Sequence, residues 1–162
     1  TANHEQQAQL QQMFEEVQAS EEEIRQNAEE MQATQEEMRR RELELQAAMR
    51  AIDNTLATIE FGMDGRIIHC NSQFANQTGY KPEKLVGEHH RKLMPKGAAD
   101  TPEYAEFWKA LNRGEAQEGA FERVAANGKP VRMHATYTPV MDATGKPYKV
   151  MKLIQRIEPV GK

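Results

Sequence analysis

Cysteine is almost missing from this chain: Cys70 is the only one in 162 residues. No disulfide framework can form within one copy, and no zinc site built on cysteines. That usage fits a reducing compartment, and a cytoplasmic location is the expectation. There is no run of about 18 apolar residues, so no segment has the character of a membrane-spanning helix. No signal-peptide pattern is visible. The chain opens without Met and straight into a helical pattern, and it reads as a fragment of a longer protein. Neither half carries the dense basic stripe that a nucleic-acid partner would need. No Ser-His-Asp order, P-loop, dinucleotide fingerprint or paired-carboxylate motif is present, so an enzyme is not expected. Proline and glycine are absent before residue 60, and Phe14 is the only Phe, Tyr or Trp in that stretch.

Those absences divide the chain near residue 52. Residues 1–52 hold 12 acidic and 5 basic side chains; residues 53–162 hold 13 and 16. The first segment is rich in Glu, Gln, Ala, Met and Arg, all good helix formers. Leu10, Val17, Ile24, Met31, Met38, Leu45 and Ile52 recur at a spacing of seven without a failure. A strict seven-residue repeat marks a seam that supercoils against a partner helix. Glu36 with Arg40, and Glu37 with Arg41, are positioned as i,i+4 pairs. The second column of the seam is poor, with Glu21, Gln35 and Glu42, or with Asn27 and Arg41 in the other register. The alternative is one amphipathic helix lying on its own domain. A helix of about 48 residues would be roughly 70 Å long, more than a domain of about 110 residues can cover. The expectation is therefore a parallel homodimeric coiled coil over 1–52, a globular domain over 53–158 and a tail at 159–162.

After residue 52 the periods shorten. Leu56–Phe61 and Arg66–Cys70 read as a strand pair around the turn Met63-Asp64-Gly65-Arg66. Helical turns follow at about 72–78, 82–86 and 89–94. Thr101 caps a longer helix with Pro102 at its first position; Tyr104, Phe107, Trp108 and Leu111 form its apolar face, and Gly114 stops it. Three strands close the chain at about 117–125, 131–140 and 148–157, punctuated by Asn127-Gly128 and Thr144-Gly145. The order gives one antiparallel five-stranded sheet with helices on one face, an α+β fold.

Asn71, Phe74, Gly79, Tyr80, Glu83, Leu85 and Gly87 follow a strand-turn-strand and match N-x-x-F-x-x-x-x-G-Y then x-x-E-x-L-x-G. This stretch resembles the PAS domain family. Gly87 through Arg91, Tyr104 to Trp108, Leu111, Gly114-Glu115, Gly119, Phe121, Arg123 and Ala135 to Val140 are similar to one PAS branch, G-x-x-H-R, E-Y-x-x-F-W-x-x-L-x-x-G, G-x-F-x-R and A-S-Y-N-P-I. The resemblance covers roughly residues 48–157. It implies a PAS fold behind a signalling coiled coil, as in bacterial chemoreceptors and sensor kinases of two-component and chemotaxis systems, with a downstream signalling domain in the parent protein. It also implies a relative among flavin-binding aerotaxis PAS domains. The chain departs from the branch at three places. Arg132 stands where a Trp is usual, Gln117-Glu118 precede Gly119 where flavin binders carry a Trp, and Arg156-Ile157-Glu158 replace the closing D-I-T. The first two departures argue against flavin. The helix that carries the haem-ligating His in oxygen-sensing relatives has none here. The expected state is cofactor-free, with a flavin- or haem-binding redox or oxygen sensor as the alternative.

The remaining candidates weigh as follows. Adjacent His89 and His90 would point about 100° apart on a helix and so chelate one ion poorly; the expectation is that one packs or caps a turn and the other is solvated. No metal site is expected. Cys70 lies on a strand, away from the reactive position of light-sensing relatives. Val131, Met133, Ala135 and Tyr137 share the inner face of their strand, which puts His134 on the outer face. Phe74, Phe107, Trp108, Phe121, Met133 and Tyr137 are the candidate ligand-pocket residues, with simple core filling as the alternative.

Overall fold

The computed structural model describes residues 1–161; Lys162, the last residue of the expected tail, lies outside them. The chain divides into two compact units, Thr1–Ala48 and the residues from Met49 on.

The first unit is most of one helix, α1, which spans Ala2–Thr55 and has no buried residue. With neither Pro nor Gly in the stretch, nothing breaks the backbone hydrogen-bond ladder. Its surface carries the pairs Arg25–Glu22, Arg25–Glu29 at 2.7 Å and Arg41–Glu37 at 2.9 Å. Glu36 accepts from Gln32 at 3.3 Å, and the anticipated Glu36–Arg40 pair is not among the ion pairs of the described residues. Pairs this exposed are screened by water and add little to the helix.

The second unit holds the end of α1 and an antiparallel sheet ordered β2-β1-β5-β4-β3. Its strands are β1 Ala57–Gly62, β2 Ile67–Cys70, β3 Gln117–Val124, β4 Pro130–Met141 and β5 Pro147–Pro159. Between β2 and β3 run α2 Ser72–Thr78, α3 Pro82–Leu85, two 3₁₀ turns at His90–Leu93 and Ala98–Asp100, and α4 Pro102–Asn112. β5 thus runs through Pro159, the first residue of the expected tail. Alternation decides the inner face: Ile59, Phe61, Met133, Ala135, Tyr137, Val150 and Ile154 are buried against Phe74, Leu85, Leu93 and Leu111 of the helical layer. The 3₁₀ turn at Ala98–Asp100 was not anticipated, because three residues are too short to show a period.

The first hairpin is closed by Asp64, whose Oδ1 accepts from Arg66 N at 3.0 Å, and by Gly65 at φ 85°. A Cβ on Gly65 would meet His89 Nε2 at 2.5 Å, so the position needs glycine for space as well as for conformation. β2 starts at Ile67 rather than Arg66 because Arg66 bridges to His89 and donates from Nη1 to Gly87 O at 2.9 Å.

Asn71 ties the end of α1 to the sheet. Its Oδ1 accepts from Thr58 N at 3.0 Å and from Phe74 N at 2.9 Å, so it caps α2 while holding β1. Its Nδ2 donates to Leu56 O at 2.7 Å and to Asp53 Oδ1 at 3.3 Å. Gln73 adds a bond to Asn54 O at 3.1 Å.

Candidate functional site

Beneath α4 the helical layer and the sheet enclose an aromatic core with cations in it. α4 is fixed by Thr101, whose hydroxyl accepts from Tyr104 N, and by Pro102 in its first turn. That register directs Tyr104, Phe107 and Trp108 toward the sheet. Phe107 lies edge-on to Tyr137 at 4.8 Å between centroids and to Phe121 at 5.9 Å; Trp108 is edge-on to Phe61 at 6.0 Å. Offset and edge-on pairs of this kind add roughly 0.5–1.5 kcal/mol each beyond their burial.

His90 stands at the centre. It is fully buried, its Nδ1 2.9 Å from the Tyr104 hydroxyl and its Nε2 3.0 Å from the Tyr137 hydroxyl. A neutral ring satisfies both contacts in either direction, since each phenol can donate or accept. Burial above all holds His90 well below the usual imidazole range, and nearby Arg123 and Lys152 push the same way. Burial pushes the Tyr137 phenol up to about 12.

Two cations share this core. Arg123, on β3, is 5% exposed; its Nε donates to the Tyr137 hydroxyl at 3.2 Å and its Nη1 to Glu122 O at 2.7 Å. Its guanidinium lies 5.2 Å from the Phe121 ring centroid and 5.7 Å from that of Tyr137. Lys152, on β5, is fully buried, with its Nζ 3.1 Å from Met133 Sδ and 4.7 Å from the Tyr137 ring centroid. Burial, followed by repulsion from Arg123, holds Lys152 well below the ordinary lysine range. Among the described residues no carboxylate forms an ion pair with either cation; the acidic partners all go to other bases. Trp108 Nε1 is also buried without a hydrogen bond of adequate geometry, though it lies close enough to bear on the Tyr104 phenol.

A cleft of about 460 Å³ opens between the 3₁₀ turns, α4 and β3. Tyr104, Phe107, Phe121 and Arg123 line it, with Glu103 and Glu122 also in its walls. Its volume lies within the range of small-molecule sites.

Of the six expected pocket residues, Phe107 and Phe121 line this cleft, and Trp108, Tyr137 and Met133 stand behind them. Phe74 packs in the same core from α2 but makes no ring contact with the others among the described residues. The solvated-histidine expectation is corrected: His89 caps its turn by accepting from Arg91 N at 3.1 Å, and His90 is interior. The two tyrosine hydroxyls make that burial tolerable, and they were counted only as apolar bulk in the sequence. Lys152 was missed although alternation placed it between Val150 and Ile154. His134 is on the outer side, half-buried, 2.9 Å from Glu158 Oε1. Cys70 is buried and its thiol is pushed up chiefly by that burial, which makes it unreactive. Among the described residues no cluster could hold a metal ion, and no helix is long and apolar enough to cross a membrane.

The comparisons with known proteins agree with this architecture. A family model described as PAS fold matches residues 53–158. Biofilm dispersion protein BdlA of Pseudomonas aeruginosa is 44% identical over 102 residues, which is 63% of this chain and 24% of that protein. The bacterioopsin transcriptional activator of Halobacterium salinarum is 31% identical over 80 residues, 49% of this chain and 12% of that protein. The chain therefore spans a quarter or less of the length of these relatives. Among solved structures, a PAS domain from Colwellia psychrerythraea superposes with a TM-score of 0.60 at 16% identity, covering 72% of this chain and 96% of that one. A LOV protein of Rhodobacter sphaeroides gives 0.53 at 20% identity, covering 61% and 58%. At such identities these two speak for the fold alone.

Proposed function

We propose a signalling role on one premise: across residues 53–158 the chain belongs to the PAS-fold family. In this reading the chain is a sensory and dimerisation module of a bacterial chemoreceptor or sensor kinase, without catalytic residues of its own. A change in the core of the domain passes through a parallel homodimeric coiled coil to a signalling domain elsewhere in the parent protein. It works without a bound flavin or haem.

The observation that carries the reading is the heptad column. Leu10, Val17, Ile24, Met31, Met38, Leu45 and Ile52 are 37–67% exposed in a single chain. Each large side chain gains about 1.5–3 kcal/mol on full burial, so a partner helix is favoured. The polar second column takes part of that gain back, so the dimer is weak. The Asn71 latch supports the relay, because one side chain joins β1, α2 and Asp53 near the end of α1. A shift in the core that moves α2 would reach the helix through it, and coiled-coil register or packing is a two-state element that can respond.

A cofactor-free state is supported by the interior itself. Phe61, His90, Trp108, Met133, Tyr137 and Lys152 fill the space beneath α4, and a flavin ring would have to displace them. Both ring nitrogens of His90 are engaged by phenols, which leaves none directed at an iron.

Light scattering across a concentration series tests the assembly. Dimer mass at high concentration, falling to one chain in Ile24→Asp/Met31→Asp, is the expected result. A single-chain mass at every concentration, or a dimer indifferent to the double substitution, removes the heptad column as the interface.

A further inference from the structure

Arg123 is a cation without an anion. A lysine buried beside it can shed its proton, but a guanidinium stays charged. Of the five N–H hydrogens a guanidinium offers, the Tyr137 hydroxyl and Glu122 O take one each, and no other acceptor for the rest is found among the described residues. The side chain is nevertheless 95% withdrawn from solvent, since it is 5% exposed. Its remaining nitrogen is not fully enclosed, so an acceptor that enters the cleft from outside can reach the unclaimed hydrogens. The cleft between α4 and β3 ends on this group. Its other walls are Tyr104, Phe107 and Phe121 with Met94, Pro95 and Ala98, an apolar and aromatic surface. Arg123 shares the Tyr137 ring with Lys152, whose Nζ lies 4.7 Å from its centroid, and among the described residues neither forms an ion pair with a carboxylate.

The charges in the cleft walls narrow the class. Glu103 and Glu122 are exposed and form no ion pair with Arg123. Their carboxylates repel a multiply charged anion such as phosphate more than a single carboxylate. An apolar body is needed to use the aromatic walls. We propose that this cleft binds a small aromatic monocarboxylate, its carboxylate on the free hydrogens of Arg123 and its ring against Tyr104, Phe107 and Phe121. The inference deepens the sensory reading and rests on it: the ligand would be the stimulus. A carboxylate on the free hydrogens of Arg123 would pull on a guanidinium whose Nε also holds the Tyr137 hydroxyl, and Tyr137 leads through His90 to Tyr104 on α4. Occupancy would therefore be felt in the helical layer.

The whole chain is titrated with benzoate, phenylacetate and 3-phenylpropionate, and with phenylacetamide as the neutral match, at fixed ionic strength. Trp108, the only tryptophan, reports by fluorescence, and the thermal midpoint reports independently. Saturable binding of at least one acid is expected, with phenylacetamide at least tenfold weaker than phenylacetate. Arg123→Gln should weaken the acid at least tenfold and leave the amide unchanged. Because Arg123 also holds Tyr137, Ala98→Phe serves as a second variant; it fills the cleft from the wall away from the cations and should abolish binding in a folded chain. Equal binding of acid and amide, no saturable response to any of the three acids, or undiminished binding in Ala98→Phe overturns the inference. The dimer measurement is separate. An intact dimer with no acid binding discards the ligand class and leaves the signalling module standing.

Discussion

Asn71→Ala is the substitution whose effect follows most directly from the geometry. Asn71 is 5% exposed, and it serves Thr58 N, Phe74 N and Leu56 O at once. Alanine removes an N-cap, at about 1 kcal/mol. It also strands one buried donor on β1 and one carbonyl at the end of α1, at about 1 kcal/mol each. The sum is about 3 kcal/mol, a large fraction of the roughly 5–15 kcal/mol that holds a domain of this size. At about 4–8 °C per kcal/mol the midpoint should fall by roughly 12–24 °C. Trp108 fluorescence is the right probe, because circular dichroism would be dominated by α1. Asn71→Asp separates the two roles. It keeps the acceptor for Thr58 N and Phe74 N but replaces the donor facing Leu56 O and Asp53 with a second carboxylate. It should cost the domain less than alanine while releasing the helix end, seen as faster hydrogen exchange at residues 53–56. A fall of less than about 1 kcal/mol in Asn71→Ala would refute this account of the latch, and unchanged exchange in Asn71→Asp would refute the relay through it.

Lys152→Met should raise the melting temperature at pH 7, because it replaces a buried amine whose hydrogen-bond partner is a thioether. The sign follows from linkage: the unfolded chain holds the proton up to about pH 10.4, the folded chain releases it well below that, so wild-type stability falls as pH drops from alkaline toward neutral. The methionine variant should lack that slope, and a lower midpoint than wild type at every pH would contradict the argument. Gly65→Ala should destabilise by about 1–2 kcal/mol from the left-handed backbone alone, plus the displacement of His89; urea melts read it, and a neutral result would mean the hairpin relaxes freely. An absorbance spectrum of natively purified protein should lack a stoichiometric flavin band near about 450 nm and a haem Soret band; either band would replace the cofactor-free reading with a redox or oxygen sensor.

The sheet was legible because its signals are local. Asp64-Gly65, Asn127-Gly128 and Thr144-Gly145 mark the turns, and alternation in β4 sorts Met133, Ala135 and Tyr137 from His134 without any tertiary knowledge. α4 was legible from Thr101-Pro102 and Gly114. The helix of the first unit followed from what it lacks. The aromatic half of the candidate site was also readable, since Phe107, Trp108, Phe121 and Tyr137 sit on faces that periodicity assigns inward. The polar half was not. His90 is buried only because Tyr104 and Tyr137 bring hydroxyls to its two nitrogens, from positions 14 and 47 residues away. Arg123 and Lys152 read as ordinary surface charges until the strand faces are assigned. Alternation with Val150 and Ile154 does assign Lys152 inward, but that the interior accepts two basic side chains depends on Tyr137 and Met133, which come from another strand.

The pairing of β1 with β5 has a consequence for how such a domain travels between proteins. Ala57 lies opposite Ile154, so the chain enters β1 beside the last part of β5, which runs on only to Pro159 at that same end of the sheet. Paired strands of this kind hold their Cα atoms about 4.5–5.5 Å apart. A host chain could therefore be interrupted there and resumed with little change in its own path, as tolerated domain insertions require. The same geometry makes a circular permutant practicable. A linker joining Pro159 to Leu56, long enough to run back along the last residues of β5, with new termini cut at Asn127-Gly128, would leave all five strands of the sheet in place and free the domain from its helix altogether.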